Sequence, residues 1–399
     1  MKKIFLTFII ISMSLLQACV KTPPAGTGTV TADSLRYRGE INGGLYDGYG
    51  VLTLGDSILY SGQWKGGKRH GYGTSADSAG RKVTALWHGD SIVRGSVTDD
   101  RGVYTGELAT DGTPCGHGIY RGFDGSYYDG TWSRGMPNGF GCGIRADGKV
   151  EVGEWKNGKY RGERMTYTAE RIYGIDISRY QHGKGRKKYA INWDRLRITH
   201  LGNISRKKVS GTVDYPVSFV YIKSTEGTTV RNPYYLSDYR QARRHGISCG
   251  AYHFFSPTSQ ASKQAYYFLH HSKFSKGDFP PVLDVEPTPS QIKKMGGTAA
   301  MFSRIRTWLS IVHKRTGVRP ILYVSQQFVN KYLPEAPDIM RDYLVWIARY
   351  GEYKPEVRLV FWQLCPDGRV SGIRGDVDIN VFNGYGDQYE QFLYRHRIK

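Results

Sequence analysis

Phe279-Pro280-Pro281-Val282-Leu283-Asp284-Val285-Glu286 is a short apolar run that ends in two carboxylates two residues apart. Residues i and i+2 of a strand point to the same face with Cα atoms roughly 6.5 Å apart, so Asp284 and Glu286 stand side by side where a buried strand ends. Such a pair suits glycoside cleavage. One carboxyl group gives a proton to the leaving oxygen while an ionised neighbour stabilises the positive charge at the anomeric carbon. Crowding raises the pKa of the least solvated carboxyl, which keeps an acid protonated near neutrality.

Seven further apolar segments accompany this one: Tyr173 to Ile177, Val217 to Lys223, Ser248 to Phe254, Pro320 to Ser325, Tyr343 to Ile347, Val357 to Gln363 and Asp376 to Val381. Their mostly continuous hydrophobicity implies a buried, parallel-type sheet. Helical patterns separate the early ones. Pro233 opens a helix with Leu236, Tyr239 and Ala242 on one face and Gly246 at its end. A second runs from Thr298 to Thr316 with Phe302, Ile305, Leu309 and Val312 as its stripe and Gly317 as its stop. Ala348 to Glu356 is too brief and polar for a crossover helix. The fold class is therefore α/β, an irregular TIM-like barrel over residues 171–395 whose last strands lack proper helices.

Barrels of this type carry their chemistry at the C-terminal strand ends. Asp176 ends the first strand and Asp378 lies on the last, which closure brings together with the first. With Asp284 and Glu286 they form an acidic ring. Glu286 has the longer side chain and sits furthest out, which suits the proton donor. Nucleophilic triads are not indicated: no Gly-x-Ser-x-Gly occurs, and no His has a Ser or Cys partner.

Residues 36–162 read differently. An aromatic-x-Gly unit recurs at Tyr37-Arg38-Gly39, Tyr60-Ser61-Gly62, Trp87-His88-Gly89, Tyr104-Thr105-Gly106 and Tyr128-Asp129-Gly130, tracked by Gly48-Tyr49-Gly50, Gly71-Tyr72-Gly73, Gly116-His117-Gly118 and Gly139-Phe140-Gly141. This period predicts an all-β stacked array of short strands and tight reversals. The units resemble the MORN repeat, a β-hairpin that stacks into an elongated sheet; the third departs from the pattern and closes early at Arg94-Gly95. The resemblance implies a spacer or a platform for a protein or lipid partner.

At the N-terminus, Lys2-Lys3, the apolar stretch Ile4 to Leu16 and Leu16-Gln17-Ala18-Cys19 read as a lipoprotein signal peptide, residues 1–19, with Cys19 acylated. Residues 20–35, rich in Pro, Gly and Thr, read as a tether. The expectation is a body held by acyl chains in a bacterial cell envelope, at the outer membrane because Val20 replaces the Asp that retains many lipoproteins at the inner one. With 56 basic against 35 acidic residues the chain carries +21. In an exported protein that favours anionic wall polymers or lipid head groups over nucleic acid. Cys115, Cys142, Cys249 and Cys365 form no Cys-x-x-Cys pair, so no zinc site and no other metal is indicated, while a Cys115 to Cys142 disulfide is permitted.

Tyr173-Gly174-Ile175-Asp176-Ile177-Ser178-Arg179-Tyr180-Gln181, Ile191-Asn192-Trp193, Ile222-Lys223-Ser224-Thr225-Glu226-Gly227, Gly250-Ala251-Tyr252-His253-Phe254, Asp284-Val285-Glu286, Trp346-Ile347-Ala348, Trp362-Gln363 and Val377-Asp378-Ile379-Asn380 resemble glycoside hydrolase family 25, the Chalaropsis-type lysozymes. The resemblance implies a (β/α)5(β)3 barrel, no cofactor, and hydrolysis of the β-1,4 bond between N-acetylmuramic acid and N-acetylglucosamine in peptidoglycan glycan strands. It implies Glu286 as general acid, Asp284 orienting or stabilising the reacting N-acetyl group, and Asp176 and Asp378 as flanking aspartates. Tyr252, Lys223, Glu226 and Trp362 fall in motifs that line the groove. Leu364 stands where many relatives have Tyr after Trp-Gln. A wall-binding protein without activity, or an adaptor working through its repeats, is the alternative reading.

Overall fold

The computed structural model describes residues 26–32, 34–77, 80–162, 167–184, 186–202, 212–348 and 357–399. Residues 1–25, and with them the expected signal peptide and Cys19, lie outside the described residues. The chain divides into two compact units, 1–93 and 94–399.

The first unit is an antiparallel meander of β1 (Gly26–Ala32), β2 (Leu35–Asn42), β3 (Leu45–Leu54), β4 (Ser57–Lys65), β5 (Lys68–Ala76) and β6 (Lys82–His88). Part of the stretch expected as a tether is thus sheet: residues 26–32 pair with β2, because Thr27, Thr29 and Thr31 alternate with Gly and Val and an edge strand needs no core of its own. The repeat glycines meet across strands, Gly39 opposite Gly50 and Gly62 opposite Gly73. A Cβ at Gly50 would strike the ring of Tyr37, and one at Gly73 the ring of Tyr60. Those buried tyrosines meet Trp64 and Trp87 edge to face, and the Nε1 atoms of the two tryptophans donate to the Gly50 and Gly73 carbonyls, each at 3.2 Å. Trp87 therefore repeats the role of Trp64, and Ala85, opposite Gly73, stands in the glycine position. Gly89 is a turn glycine at φ 59°, which is why Trp87-His88-Gly89 breaks the spacing.

The second unit begins within β7 (Ser91–Thr98) and continues through β8 (Gly102–Leu108), β9 (Pro114–Gly122), β10 (Tyr127–Ser133), β11 (Met136–Ile144), β12 (Val150–Lys156) and β13 (Lys159–Gly162), with the same glycine pairing at Gly106–Gly118 and Gly130–Gly141. The barrel follows. β14 (Tyr173–Ile177) leads through the hairpin β15 (Gly183–Lys184) and β16 (Lys187–Lys188) and the outer pair β17 (Arg197–His200) and β18 (Thr212–Pro216) to β19 (Phe219–Glu226) and β20 (Val230–Arg231). Then come α1 (Tyr235–Arg244), β21 (Ser248–Phe254), α2 (Ala261–His271), β22 (Val282–Val285), α3 (Pro289–Lys294), α4 (Thr298–Thr316), β23 (Ile321–Ser325), α5 (Gln326–Lys331), α6 (Pro337–Asp342), β24 (Val345–Ala348), β25 (Leu359–Ser371), β26 (Val377–Phe382) and α7 (Gly386–His396).

Strands β14, β19, β21, β22, β23, β24 and β25 run parallel in that order, and β26 closes the ring antiparallel to both β25 and β14. The expected parallel-type sheet thus ends in one reversed strand, because the link from β25 is a hairpin and only antiparallel neighbours can be joined so tightly. Inside the ring, Phe219, Tyr221, Trp346 and Phe361 are buried, and Tyr389 and Phe392 of α7 pack beneath them with Phe279 and Phe382. α4 has the expected stripe and stop, with Gly317 left-handed at φ 75°. In α1 the buried face is Tyr235, Asp238, Tyr239 and Ala242, while Leu236 is 40% exposed. The i, i+3, i+4, i+7 stripe passes one position away from it.

Four cysteines among the described residues are free, so the permitted Cys115 to Cys142 bridge is not formed. Among the described residues no helix is long and apolar enough to cross a membrane, and no group of three His, Cys, Asp or Glu side chains is arranged to hold a metal ion.

Candidate active site

Asp176, Asp284 and Glu286 sit at or just beyond the C-terminal ends of β14 and β22, and Asp378 sits at the N-terminal start of β26, whose antiparallel run brings that end to the same mouth. Asp284 is in register with Phe254 on β21 and Tyr323 on β23; Asp176 is directly opposite Asp378 across the β14–β26 pair. Period-2 alternation points all of these side chains into the mouth of the barrel. Below them the barrel is filled by buried aromatic side chains, so a charge here is partly desolvated.

That desolvation sets the protonation. Burial, then the Glu286 carboxylate, pushes Asp284 well above the usual carboxylate range, and its buried Oδ1 has no hydrogen-bond partner among the described residues. Burial raises Asp176 to about 7 against the opposing hydrogen bonds of Asn380 and Gln363; burial, then Asp176, raises Asp378 to about 9. Glu286 is exposed at the rim, yet the surrounding walls still raise it, with Lys223 and the Tyr323 hydroxyl pulling the other way. At neutral pH such a ring holds protons that isolated carboxylates would have lost.

A hydrogen-bonded chain fixes the far side of the mouth. Tyr323 Oη donates to Gln363 Oε1 at 3.1 Å, Gln363 Nε2 donates to Asp378 Oδ1 at 3.1 Å, and Asn380 Nδ2 donates to Asp176 Oδ2 at 2.9 Å. Tyr323, and Gln363 and Asn380 as individual side chains, were not singled out by sequence. The signal was there: Asn380 is i+2 from Asp378, and Tyr323 follows Ile321 by two in the strand beside β22, level with Asp284.

Of the expected groove residues, Tyr252 is half-buried beside the ring. Burial, then Asp176, Asp284, Asp378 and Glu286, drives its hydroxyl well above the ordinary tyrosine value, so it remains a neutral donor. Lys223 Nζ donates to Glu226 Oε2 at 2.7 Å and lies 4.6 Å from the centre of the Phe254 ring. Trp362 does not line the groove. It is 1% exposed, edge-on to Phe140 of the repeat sheet, because it neighbours Gln363 on the same strand and alternation sends the two to opposite faces.

The family model for glycosyl hydrolases family 25 matches residues 175–373, a span that includes Asp176, Asp284 and Glu286, and the MORN repeat model matches residues 37–57, 60–78, 102–127, 128–150 and 152–163. The unmatched stretch between the second and third of these holds Ala85 and Trp87. Uncharacterized protein YegX of Escherichia coli is 36% identical over 225 residues, 56% of this chain and 73% of that protein. Lysozyme M1 of Streptomyces globisporus is 32% identical over 226 residues, 53% of this chain and 68% of its own length. The crystal structure of the bacterial lysozyme from Streptomyces coelicolor is 29% identical and covers 56% of this chain and 95% of that one, at a TM-score of 0.44. The chain belongs to the glycosyl hydrolases family 25, carries MORN repeats ahead of that domain, and is a glycoside hydrolase of the lysozyme type.

Proposed function

We propose that the protein is a peptidoglycan muramidase that hydrolyses the β-1,4 bond between N-acetylmuramic acid and N-acetylglucosamine, with Glu286 as general acid. One observation carries the reading: at the end of β22 a rim carboxyl and a buried carboxyl stand two residues apart, both with raised proton affinity. Glu286 reaches solvent, where a leaving oxygen arrives and departs. A proton held above the ordinary glutamate range is available near neutrality. Asp284, buried one pleat below with an unpartnered oxygen, is placed to orient the N-acetyl group of the reacting sugar as positive charge grows at the anomeric carbon. Asp176 and Asp378 supply the surrounding negative potential once ionised, and Tyr252 and Lys223 present a neutral hydroxyl and a cation to the substrate.

We further propose the (β/α)5(β)3 description for the barrel, residues 171–395 as the catalytic domain and residues 36–162 as the repeat domain. Acylation of Cys19 would hold both in the cell envelope, at the outer membrane. Purified peptidoglycan incubated with the protein tests the activity. Products with muramic-acid reducing ends, identified by mass spectrometry, are expected; glucosamine-type reducing ends, or none, would overturn it.

A further inference from the structure

The first unit carries a face that this chemistry leaves unused. Gly50 and Gly73 line the buried aromatic face of the sheet, so strand alternation sends the adjacent Tyr49 and Tyr72 to the opposite face. They are 58% and 66% exposed. One strand separates them: Gln63 on β4 is the cross-strand partner of Tyr49, and its Oε1 accepts from the Tyr72 N–H at 3.2 Å. Two strand spacings put the tyrosines roughly 10 Å apart, close to the length of one disaccharide in an extended β-1,4-glycan. Beside them, on the same face, runs the cross-strand row Arg38, Val51, Ser61, Thr74 and Thr84.

In the second unit the same repeat position is a docking position. Phe140, between Gly139 and Gly141, packs against Trp362, and its N–H donates to Asn383 Oδ1 at 3.1 Å. There the residue is a phenylalanine sealed under protein. In the first unit it is an exposed tyrosine among hydroxyls, an amide and a guanidinium. That composition suits a sugar: the C–H face of a pyranose lies on a ring, its hydroxyls meet Ser, Thr and Gln, and a carboxylate meets Arg.

We propose that Tyr49 and Tyr72 form a glycan-binding platform that holds a strand of the carboxylate-bearing β-1,4-linked amino-sugar polymer on which the barrel acts. The identity of that polymer rests on the muramidase reading; the platform geometry does not. It keeps an enzyme on an insoluble substrate between cuts, so its loss affects polymer binding and leaves bond cleavage in small fragments untouched.

The test is sedimentation of the full-length chain with purified peptidoglycan sacculi, in a Glu286→Gln background so that the polymer stays intact, alongside turnover of soluble wall fragments in the Glu286 background. Tyr49→Ala with Tyr72→Ala is expected to weaken sacculus binding about tenfold and to leave fragment turnover at the wild-type rate. Tyr49→Phe with Tyr72→Phe is expected to retain binding, because the ring faces remain. Unchanged sacculus binding by the double Ala variant overturns the proposal, as does binding that phosphatidylglycerol vesicles displace and soluble glycan strands do not. If the wild type cuts no fragment while sacculus binding still depends on both rings, the platform stands and the muramidase reading falls.

Discussion

Asp176 on β14 and Asp378 on β26 are direct cross-strand partners in the antiparallel pair that closes the barrel. Like charges directly opposite one another destabilise a sheet, and this pair is partly desolvated as well. The arrangement costs stability and supplies a reservoir of protons and negative potential at the mouth.

Its stability consequence has a definite sign. The folded-state pKa of Asp378 is raised to about 9, so between the ordinary aspartate range and that value the unfolded chain has lost a proton that the native protein keeps. Stability therefore falls as pH rises through this window. Asp378→Asn removes the term while retaining an oxygen for Gln363. Its melting temperature is expected to exceed wild type by a few degrees at pH 8, with the gain vanishing below about pH 4. A gain that grows on acidification would contradict the assignment.

Lys223 lowers the proton affinity of Glu286. Lys223→Met should therefore keep the acid protonated to higher pH, moving the alkaline limb of the kcat profile upward. Tyr323→Phe should move it the same way, since its hydroxyl also favours the ionised carboxylate. Profiles of all three proteins on one soluble substrate check the shared direction.

Trp362 belongs to the junction of barrel and repeat sheet, not to substrate recognition. Trp362→Ala is expected to lose about 3–5 kcal/mol of stability through the cavity it leaves against Phe140. KM on soluble fragments should be unchanged in the fraction that is folded, as denaturant titration paired with steady-state kinetics will reveal.

Glu107 on β8 bridges to the barrel through Arg358 at 2.6 Å and Arg395 at 3.1 Å. Burial alone would raise its pKa; Arg358, His396 and Arg395 overcome this and hold it well below the usual range. A depressed carboxylate contributes stability above its unfolded pKa and loses it as pH falls through the folded value. Glu107→Gln should therefore cost about 3 kcal/mol near neutrality by leaving two part-buried guanidinium groups without their carboxylate, and the deficit should narrow below about pH 4.5. A deficit independent of pH would point to packing instead.

The strand set, α4 and the acidic ring were legible because each rests on a local regularity: an apolar run of fixed length, a 3.6-residue stripe, or a carboxylate at a strand end. Contacts between remote segments were not. Trp362 sits in a motif shared with groove residues, and only the alternation of β25 against Phe140 reveals which face it takes. The reversal of β26 depended on a hairpin five residues long, and the third repeat was misaligned because Ala85 replaces the glycine that marked the others. Tyr323 and Gln363 took their places only when register set Tyr323 level with Asp284 and Gln363 level with Asn380, from where its amide reaches Asp378.

The measurement that bears most directly on the account is release of reducing ends from peptidoglycan by Glu286→Gln beside wild type at the same pH. Loss of at least ~100-fold in kcat with the fold and sacculus binding intact is the predicted result. A rate within a few fold of wild type would mean that another group delivers the proton and that the pair at the end of β22 is not the catalytic centre.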